Sequence, residues 1–497
     1  MDTISLCLIA RNEAEYLEEW LDYHILLGVD RFYIYDNESI IPIKEVIKTY
    51  IDTGWVHVFE IQGKSQQLFA YDHCLANYGE RTQWMGFIDA DEFLVLKENL
   101  DIKQFLERYE QFGGLAVSSL FFGSNGKKTK PKEGQIQAFT RRTLKTYYFN
   151  RFVKSIVQTE KVLFPDSPHG FTYKEGSICV NENGFHVASQ TIPNSISKIQ
   201  LNHYICRSQE DMTVKLVNGV GGAGRAYKKD RFEQIDRLSN EEDHAISTWL
   251  EAYFKYIDDG KIFKKIKNTT NEQELVCKKA MHVYAQKKTP SSCDPAKDQK
   301  ITFRNGFLKF WNAINQLKDL RQRGELELYQ ALNDQMIQEY PNRTSSYAAF
   351  ADFCMQFPDR YDQAWAYLWK GWQIQPMTFE TMTAMVNYFV LIRDYQQVEK
   401  ICHLMLKQGQ DDIDTRFRLA WLYVNLNRMD EAVKFAYPIF FEFPVENKLP
   451  GKTLLEVLFL VAEYLLSNGE EVRAKVLLEK AREIFPGETK ISKLLSN

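Results

Sequence analysis

A run of three carboxylates directly follows an apolar segment in the first quarter of the sequence. Residues 84–88 are apolar or small, and Asp89, Asp91 and Glu92 come next before apolar residues resume. Carboxylates so close to a buried segment cost free energy unless a cation compensates them. Mg²⁺ and Mn²⁺ prefer oxygen ligands and keep substrate phosphates in their coordination shell. The run therefore predicts a divalent-cation site with Asp89 and Asp91 as ligands, and the alternative is an ordinary solvated strand end.

The geometry expected for these ligands depends on whether a strand continues through the acidic run. Side chains two residues apart on a strand point to the same face, so Asp89 and Asp91 would share one site. Glu92 would then face away from Asp91. A further ligand has to come from elsewhere, and His203 and His186 both lie in strand-like segments. Either one could instead be a satisfied core histidine.

The elements that would position this site alternate between strand-like and helix-like segments over residues 1–125. This alternation predicts a right-handed α/β domain with a mostly parallel, Rossmann-like sheet. Sheets of this kind bind ligands at the carboxyl ends of their strands, and the acidic run falls at such a place. The expected strands are residues 4–9, 31–35, 55–61, 84–88 and 115–121, with helices at residues 15–27, 43–51 and 66–78.

Glycine-rich phosphate-binding motifs do not accompany the predicted sheet. The first predicted strand is followed by Arg11 and Glu13 without a GxGxxG or Walker-type loop, which argues against dinucleotide-binding and P-loop proteins. A glycine-rich segment at residues 219–224 follows a helix-like stretch instead of a strand. We interpret it as a flexible loop that a bound substrate orders, in preference to a phosphate cradle.

The sequence becomes purely helical in character beyond about residue 325. Pro341, Pro376 and Pro444 lie about 34 residues or twice that distance apart, and Pro486 closes a further segment; a period of about 34 residues is the signature of tetratricopeptide repeats. Stacked repeats form a concave surface for protein partners or self-association, and the alternative is a helical cap that only supports the rest of the chain. The predicted domains are an α/β domain at residues 1–250, a helical connector at residues 251–324 and tetratricopeptide-like repeats at residues 325–497.

Composition and charge narrow the class of protein. The 497 residues exceed one ordinary core, so two or three domains are expected. The net charge of −4 argues against a surface built mainly to bind nucleic acid. Eight scattered cysteines without a CxxC pair indicate reduced thiols, with neither a disulfide framework nor a zinc site. Without a signal-like or transmembrane segment, we expect a cytoplasmic enzyme, and peripheral attachment to the inner face of a membrane is left open.

Four separated blocks of the sequence occur in an order that matches one known family. They are Ala10-Arg11-Asn12-Glu13 with residues 16–24 and 28–39, then residues 84–93, then residues 122–126 with 154–157, and last Asn202-His203-Tyr204 with Ser208, Lys215 and Gly219. In combination they resemble the family 92 glycosyltransferases, over residues 4 to 225. The resemblance implies a GT-A fold for this part, and the helical C-terminal part lies outside it.

The resemblance also implies roles for individual residues. Asp91 would be the main ligand of a Mn²⁺ or Mg²⁺ ion, and His203 would complete the metal shell. Known members of the family invert the anomeric centre and transfer galactose from UDP-galactose. The residues implied for binding the nucleotide-sugar donor are Arg11, Glu13, Asp36, Asp89 and Lys215; among them Asp36 would lie near the base or ribose, and Asp89 would face both the ribose and the metal.

An inverting displacement needs a carboxylate that takes the proton from the acceptor hydroxyl as the nucleotide leaves. Three candidates stay open. Glu210 follows Ser208 of the fourth block, Asp166 lies in a loop between two prolines, and Glu92 ends the acidic run. Glu210 and Asp166 could equally be a helix cap or a surface charge, and Glu92 is expected to face away from the metal ligand.

The chain departs from animal members of the family, which have a membrane anchor and a lumenal, disulfide-bearing domain. The departure favours a bacterial-style enzyme that glycosylates a surface polysaccharide, a lipooligosaccharide or another lipid-linked saccharide. A nucleotidyltransferase is one alternative, although it would show a glycine-rich, basic loop near the N-terminus. The other is a repeat scaffold with a degenerate transferase half, against which the intact Asp89, Asp91 and His203 argue.

Overall fold

The structure is a computed structural model whose contacts divide the chain into two compact units. The N-terminal unit consists of Met1–Thr143 and Phe152–Arg343, and the helical unit of Leu144–Arg151 and Thr344–Asn497. The contacts thus place the later boundary at residue 343, where the sequence pattern predicts residue 324, and the three-part division stays a prediction. The residues that the structure describes are 1–188, 190–218, 229–258, 276–290, 304, 306–408, 412–442, 451–485 and 487–496.

Short, largely buried strands form the framework of the N-terminal unit. In chain order they are β1 Asp2–Ala10, β2 Arg31–Asp36, β3 Val56–Glu60, β4 Thr82–Phe87, β5 Glu92–Leu96, β6 Gly114–Phe121, β7 Arg141–Arg142, β8 Val153–Gln158, β9 Val162–Pro165, β10 Phe171–Tyr173, β11 Cys179–Val180, β12 Ile199–His203 and β13 Glu241–Glu242. Among the described residues, nine of these strands form one sheet in the order β3-β2-β1-β4-β8-β6-β12-β5, with β11 beside β6.

One half of this sheet is parallel and the other half is mixed. β1 pairs in parallel with β2 and β4, and β2 pairs in parallel with β3. β8 runs antiparallel between β4 and β6, and β5 runs antiparallel to β12. The predicted α/β fold class and the five predicted strands are confirmed, whereas the sequence pattern does not predict β5 and β8.

Helices connect the strands and make up the remainder of both units. In the N-terminal unit they are α1 Ala14–Leu27, α2 Ile43–Val46, α3 Lys48–Asp52, α4 Gln67–Tyr78, α5 Ile102–Glu107, α6 Gln135–Ala138, α7 Gln209–Asn218, α8 Lys229–Leu238, α9 Ala245–Asp258, α10 Val276–Ala285, α11 Phe307–Arg323 and α12 Leu326–Glu339. In the helical unit they are α13 Thr344–Cys354, α14 Tyr361–Ile374, α15 Phe379–Leu391, α16 Tyr395–Lys407, α17 Ile413–Asn425, α18 Met429–Glu442, α19 Gly451–Ser467, α20 Glu471–Ile484 and α21 Thr489–Ser496.

Helix α1 fixes the strand that follows the acidic residues. β5 lies at the end of the strand order, so its carbonyl groups need partners besides β12. Trp20 donates from Nε1 to the carbonyl of Glu92 at 2.8 Å, and Tyr23 donates from its hydroxyl to the carbonyl of Leu94 at 2.6 Å. Both aromatic side chains are fully buried. The start of β5, and with it the acidic run, is therefore anchored to the helix as well as to the sheet.

The helical unit consists of consecutive helices that pack on one another, among them α13 with α14 and α17 with α18. Gly371 permits the first of these approaches, because a Cβ at that position would lie 3.1 Å from the Cβ of Tyr347. Pro341 and Pro376 follow the ends of α12 and α14, as the sequence predicts. The predicted all-helical C-terminal region is confirmed. Of the remaining prolines used for the repeat period, Pro444 and Pro486 lie outside the described residues.

Three further observations bear on expectations from the sequence. None of the helices that the structure describes has the length and apolar character needed to cross a membrane. The glycine-rich segment at residues 219–224 lies outside the described residues, and its role stays a prediction. The cysteines identified as free thiols are all buried; they are Cys7, Cys74, Cys179, Cys206, Cys354 and Cys402.

Candidate functional site

Asp89, Ala90 and Asp91 form a turn between β4 and β5, here called the acidic turn. The prediction that they continue the strand is wrong, since β4 ends at Phe87 and β5 begins at Glu92. The backbone amide of Glu92 donates to the carbonyl of Asp89 at 3.0 Å, and the Glu92 carboxylate accepts from the amide of Asp89 at 2.8 Å. These reciprocal bonds close the turn, so its geometry, and not strand alternation, sets the positions of Asp89 and Asp91.

Asp89 is the more exposed carboxylate of the acidic turn, with 34% of its side chain accessible. One of its oxygens accepts from Lys154 Nζ at 2.8 Å and the other from Gln67 Nε2 at 3.2 Å. Lys154 projects from β8 and also lies 3.5 Å from a carboxylate oxygen of Glu92. Burial opposes the charge of Lys154, but Asp89 and Glu92 outweigh burial and hold its pKa well above the ordinary value. Lys154 is therefore a permanent buried cation beside the turn.

Asp91 is buried and faces two basic side chains. Its Oδ2 accepts from Lys215 Nζ at 2.5 Å and lies 3.7 Å from Nε2 of His203. Burial favours the neutral acid, but the charge of Lys215, followed by that of His203 and of Arg207, outweighs burial and holds the pKa of Asp91 well below its ordinary range. Asp91 is therefore a carboxylate, which is the form that binds a cation.

Glu92 is only 1% exposed, and its Oε1 lies 3.4 Å from Nδ1 of His203. The prediction that Glu92 faces away from Asp91 is wrong, because the two carboxylates lie against the two ring nitrogens of His203. The physical cause is the turn together with the sheet register, which places His203 opposite Glu92. Burial, together with the negative charges of Asp89 and Asp91, raises the pKa of Glu92 to about 7.

The two candidate histidines lie in different surroundings. His203 ends β12, packs edge-on against the ring of Phe121 at 4.7 Å between centroids, and reaches the acidic turn. His186 instead forms an isolated bridge with Val180, and burial lowers its pKa to about 4. The structure thus brings His203 to Asp91, and the role of His203 as a metal ligand stays a prediction.

Two residues implied for donor binding lie at the carboxyl ends of β1 and β2. Both oxygens of Asp36 are used by the turn after β2, since they accept the amides of Ser39 at 3.0 Å and Ile43 at 2.9 Å. Arg11 is exposed. Within the described residues, no hydrogen bond or ion pair joins either side chain to the acidic turn. Asp36 therefore shapes the backbone before α2, and the donor contacts of both residues stay predictions.

Arg207 is a site residue that sequence reasoning missed. It forms an ion pair with Glu13, which is implied for donor binding, and donates to the carbonyl of Ala90 in the acidic turn at 3.3 Å. Lys154 was visible only as part of a matching block, without a role. Residue type alone does not distinguish a buried cation from a surface cation, and the burial of Lys154 on β8 becomes apparent only in the structure.

The three candidates for the catalytic base lie in different places. Glu210 is exposed near the start of α7 and accepts from the amide of Lys130 at 3.2 Å. Asp166 follows β9, accepts from Thr172 Oγ1 at 3.3 Å, and has a pKa that burial raises. No hydrogen bond or ion pair in the described part of the chain links either carboxylate to the acidic turn. Glu92 is thus the candidate that the structure brings to the site.

The acidic turn offers a divalent cation only part of a ligand shell, and metal binding there stays a prediction. In the described residues, no group of three or more histidine, cysteine or carboxylate side chains has the arrangement of a metal site. Asp91 and His203 face each other at 3.7 Å, and such a pair suits a cation that takes its remaining ligands from substrate phosphates and water. Lys215 binds the same oxygen of Asp91, so a cation there has to share that oxygen or replace the ammonium.

Comparison with known proteins identifies the N-terminal part of the chain. Residues 3–217, which include the acidic turn, His203 and Lys215, match the model of glycosyltransferase family 92. The part of the chain that carries the α/β sheet and the acidic turn is therefore similar to a class of glycosyltransferases. The class is glycosyltransferase family 92, and the match confirms the predicted resemblance for residues 3–217.

Curated relatives match the same domain and extend well beyond it. A glycosyltransferase family 92 protein of Oryza sativa subsp. japonica is 32% identical over 185 residues, which cover 36% of this chain and 31% of that protein. A family 92 protein of Ricinus communis is 31% identical over 183 residues, 35% of this chain and 32% of that protein. A galactan beta-1,4-galactosyltransferase of Arabidopsis thaliana is 32% identical over 109 residues, 19% of this chain and 22% of that protein. The chain spans about a third of the length of the first two relatives.

Solved structures of tetratricopeptide-repeat proteins are similar to the helical region. YrrB, described as a TPR protein with an unusual peptide-binding site, covers 37% of this chain and 91% of its own length, at 15% identity and a TM-score of 0.29. A structure of MamA covers 36% of this chain and 93% of its own length, at 12% identity and a TM-score of 0.29. No residue role follows from likenesses of this degree.

Proposed function

We propose that this chain is an inverting, metal-dependent glycosyltransferase that transfers galactose from UDP-galactose to a glycan or lipid-linked saccharide. The observation that carries the proposal is Asp91, kept ionised beside Lys215 and His203 within a family 92 domain. The names of the Arabidopsis relatives, galactan beta-1,4-galactosyltransferases, support galactose as the sugar. An acceptor from bacterial surface polysaccharide or lipooligosaccharide synthesis belongs to the same proposal.

The residues around the acidic turn would bind different parts of the nucleotide-sugar donor. Asp89, Asp91 and His203 would hold a Mn²⁺ or Mg²⁺ ion, and Asp89 would face the ribose as well. When bound there, such an ion would supply positive charge for the diphosphate of the leaving nucleotide. Lys215 adds an ammonium group at the same oxygen of Asp91 and favours an anionic diphosphate there. Lys154 stays buried on Asp89 and limits the build-up of negative charge in the turn.

The proton of the acceptor hydroxyl needs a base, and the three carboxylate candidates differ in accessibility. Glu92 has a pKa of about 7, which suits a base at neutral pH, but its burial requires that the acidic turn or His203 move to admit the acceptor. Asp166 and Glu210 lie outside the acidic turn. The variants Glu92→Gln, Asp166→Asn and Glu210→Gln rank the three, since loss of the base lowers kcat by about 100- to 10,000-fold.

A thermal-shift panel on the full-length protein tests the proposed function. The protein is melted with UDP-galactose, UDP-glucose, GDP-mannose and ATP, each with and without Mn²⁺. We expect UDP-sugars to raise the melting temperature, because a ligand that binds the folded state stabilises it. The shift should grow with Mn²⁺ and vanish in Asp91→Ala. A shift with ATP alone would instead favour a nucleotidyltransferase, and no shift with any nucleotide would favour a repeat scaffold.

For the helical unit we propose a contact surface for a protein partner or for a second copy of this chain, as stacked repeats provide. The proposed location is the cytoplasm, and peripheral attachment to the inner face of the membrane, where lipid-linked acceptors lie, is left open. Light scattering across a range of protein concentrations tests self-association. A mass that stays at that of one chain would contradict self-association and leave the surface to a different protein. Affinity capture with this chain as bait, applied to the glycan-synthesis machinery, would identify that protein.

A further inference from the structure

Arg207 is a buried cation to which the proposed mechanism gives no role. Its side chain is 3% exposed and lies between β12 and α7. The guanidinium forms an ion pair with Glu13, donates from Nε to Gln135 Oε1 at 2.7 Å, and donates from Nη2 to the carbonyl of Ala90 at 3.3 Å. Three segments distant in sequence thus meet on one planar group. Lysine, with a single ammonium, cannot reproduce this arrangement.

The backbone of Arg207 adopts a conformation that residues with a side chain disfavour. Its φ is 50°, in the left-handed region, which costs about 1–2 kcal/mol. Such a conformation persists where the surrounding structure determines it. Here the ring of Tyr16 lies 4.0 Å from the guanidinium carbon and adds a cation–π contact to the polar contacts of the side chain.

The residues after Arg207 start α7 with a capping box. Ser208 Oγ accepts from the amide of Asp211 at 3.2 Å, and Asp211 Oδ2 accepts from the amide of Ser208 at 3.1 Å. The hydroxyl of Tyr16 donates to the same oxygen of Asp211 at 2.8 Å. The first turn of α7 is therefore fixed to α1, and the backbone directly after Arg207 is held in place.

The segment from Tyr204 to Lys215 holds the acidic turn at three points. The amide of Tyr204 donates to the carbonyl of Asp91 at 2.8 Å. Arg207 binds the carbonyl of Ala90, and Lys215, two helical turns further on, binds the carboxylate of Asp91. The position of Asp91 thus depends on this segment as a whole, and Arg207 links the segment to Glu13.

We propose that Arg207 is a positioning residue, which fixes the acidic turn and Glu13 in the geometry that binds the donor without touching the donor itself. This inference rests on the proposed function. Because the guanidinium is buried, Arg207 acts through the carbonyl of Ala90 and the carboxylate of Glu13. Loss of a supporting contact of this kind lowers activity by about 10- to 100-fold.

Arg207→Lys and a matched control, Arg31→Lys, test the proposal on the full-length protein. Arg31 is also 3% exposed and is paired with a buried aspartate, Asp2, at 3.4 Å. That pair lies at the amino ends of β1 and β2, whereas the acidic turn follows the carboxyl end of the parallel strand β4. Hydrogen–deuterium exchange at the amides of Asp89 and Glu92 is measured, together with kcat and KM for UDP-galactose.

The expected result separates the two variants, although both lose folding stability. Exchange at the acidic turn should accelerate in Arg207→Lys alone, because its local restraint is gone, and kcat should be about 10- to 100-fold lower than in Arg31→Lys. Equal exchange at the turn in both variants, or equal kcat in an active enzyme, overturns the positioning role. If the wild-type protein turns over no nucleotide sugar, the proposed function fails, and the exchange comparison alone decides whether Arg207 positions the turn.

Discussion

Buried arginine–carboxylate pairs occur in both units of the molecule, in two different settings. In the helical unit, Arg151 lies 3.3 Å from a carboxylate oxygen of Asp412 and 2.9 Å from one of Asp414, and 4.9 Å from the ring of Phe379. Asp412 is also the N-cap of α17 and accepts from the amide of Thr415 at 2.7 Å. These contacts tie two segments of the helical unit together.

Around the acidic turn, by contrast, carboxylates and cations alternate in one small volume. The surroundings move the pKa values of neighbouring acids in opposite directions, since Asp91 is held well below its ordinary range and Glu92 is raised to about 7. Neighbouring acids with divergent pKa values are typical of sites that do chemistry. The difference teaches that a buried arginine between carboxylates can serve only to join segments, whereas crowded charges of both signs with divergent pKa values indicate function.

Breaking the pair in the helical unit should have the largest effect on stability and none on catalysis. Arg151→Met leaves Asp412 buried without its cation, which costs about 3–5 kcal/mol of unfolding free energy. Urea unfolding followed by circular dichroism measures the cost. Arg323→Met, which removes an exposed pair with Asp319, is the control and should change stability little. A loss of kcat in folded Arg151→Met as large as that of a site variant would contradict the comparison between the two units.

Asp72 is a buried acid with a raised pKa that lies outside the candidate site, and it tests whether a shifted pKa alone indicates function. Asp72 on α4 is fully buried, its Oδ1 lacks a hydrogen-bond partner among the described residues, and burial raises its pKa to about 7. Because this pKa lies above the ordinary 3.8, the wild-type protein loses stability as the pH rises from 3.8 to about 7, and Asp72→Asn does not.

Denaturant unfolding at two pH values checks this sign. We expect Asp72→Asn to gain about 4 kcal/mol over the wild type at pH 8 and little at pH 4, with unchanged kcat. The backbone amide of Arg304 donates to a carboxylate oxygen of Asp72 at 2.8 Å in the wild type. The side-chain carbonyl that Asp72→Asn introduces can still accept this hydrogen bond. A gain that is the same at both pH values would show that ionisation of Asp72 is not its source.

Removing one helix cap should have the smallest of these effects on the free energy of unfolding. Asp394 caps α16, where its Oδ1 accepts from the amide of Gln397 at 3.2 Å. Asp394→Ala should lower the unfolding free energy by about 1 kcal/mol, measured by thermal unfolding. Glu479→Ala, on the exposed face of α20, is the control and should stay within about 0.5 kcal/mol of the wild type. A cost as large as that of Arg151→Met would mean that caps and buried pairs are not distinguishable in this unit.

The parallel half of the sheet could be predicted because continuous apolar runs mark buried strands, as in residues 4–9 and 115–121. Strand β8 escapes this criterion, since it carries Lys154 and Ser155 in buried positions. Partners distant in sequence offset the cost of burying both polar side chains. Lys154 donates to Asp89, and Ser155 donates to the carbonyl of His169. Compensation of this kind has no local signature.

The candidate site could be predicted as a set of residues, but its geometry could not. The spacing of Asp89 and Asp91 suits a strand, and the turn depends on a hydrogen bond from the amide of Asp89 to the side chain of Glu92. The approach of His203 to Asp91 follows from strand pairing, which sequence spacing does not give. The role of Arg207 could not be predicted from the sequence, because its burial depends on contacts with three distant segments.

Release of UDP from UDP-galactose tests most directly whether Asp91 serves sugar transfer. The rate is measured for the wild type and for Asp91→Asn, each after chelation and after addition of Mn²⁺, with melting curves to verify folding. We predict release by the wild type that requires Mn²⁺ and a rate about 1,000-fold lower in Asp91→Asn, which equals about 4 kcal/mol of activation free energy. Release by Asp91→Asn at the wild-type rate would contradict the proposed role of the acidic turn.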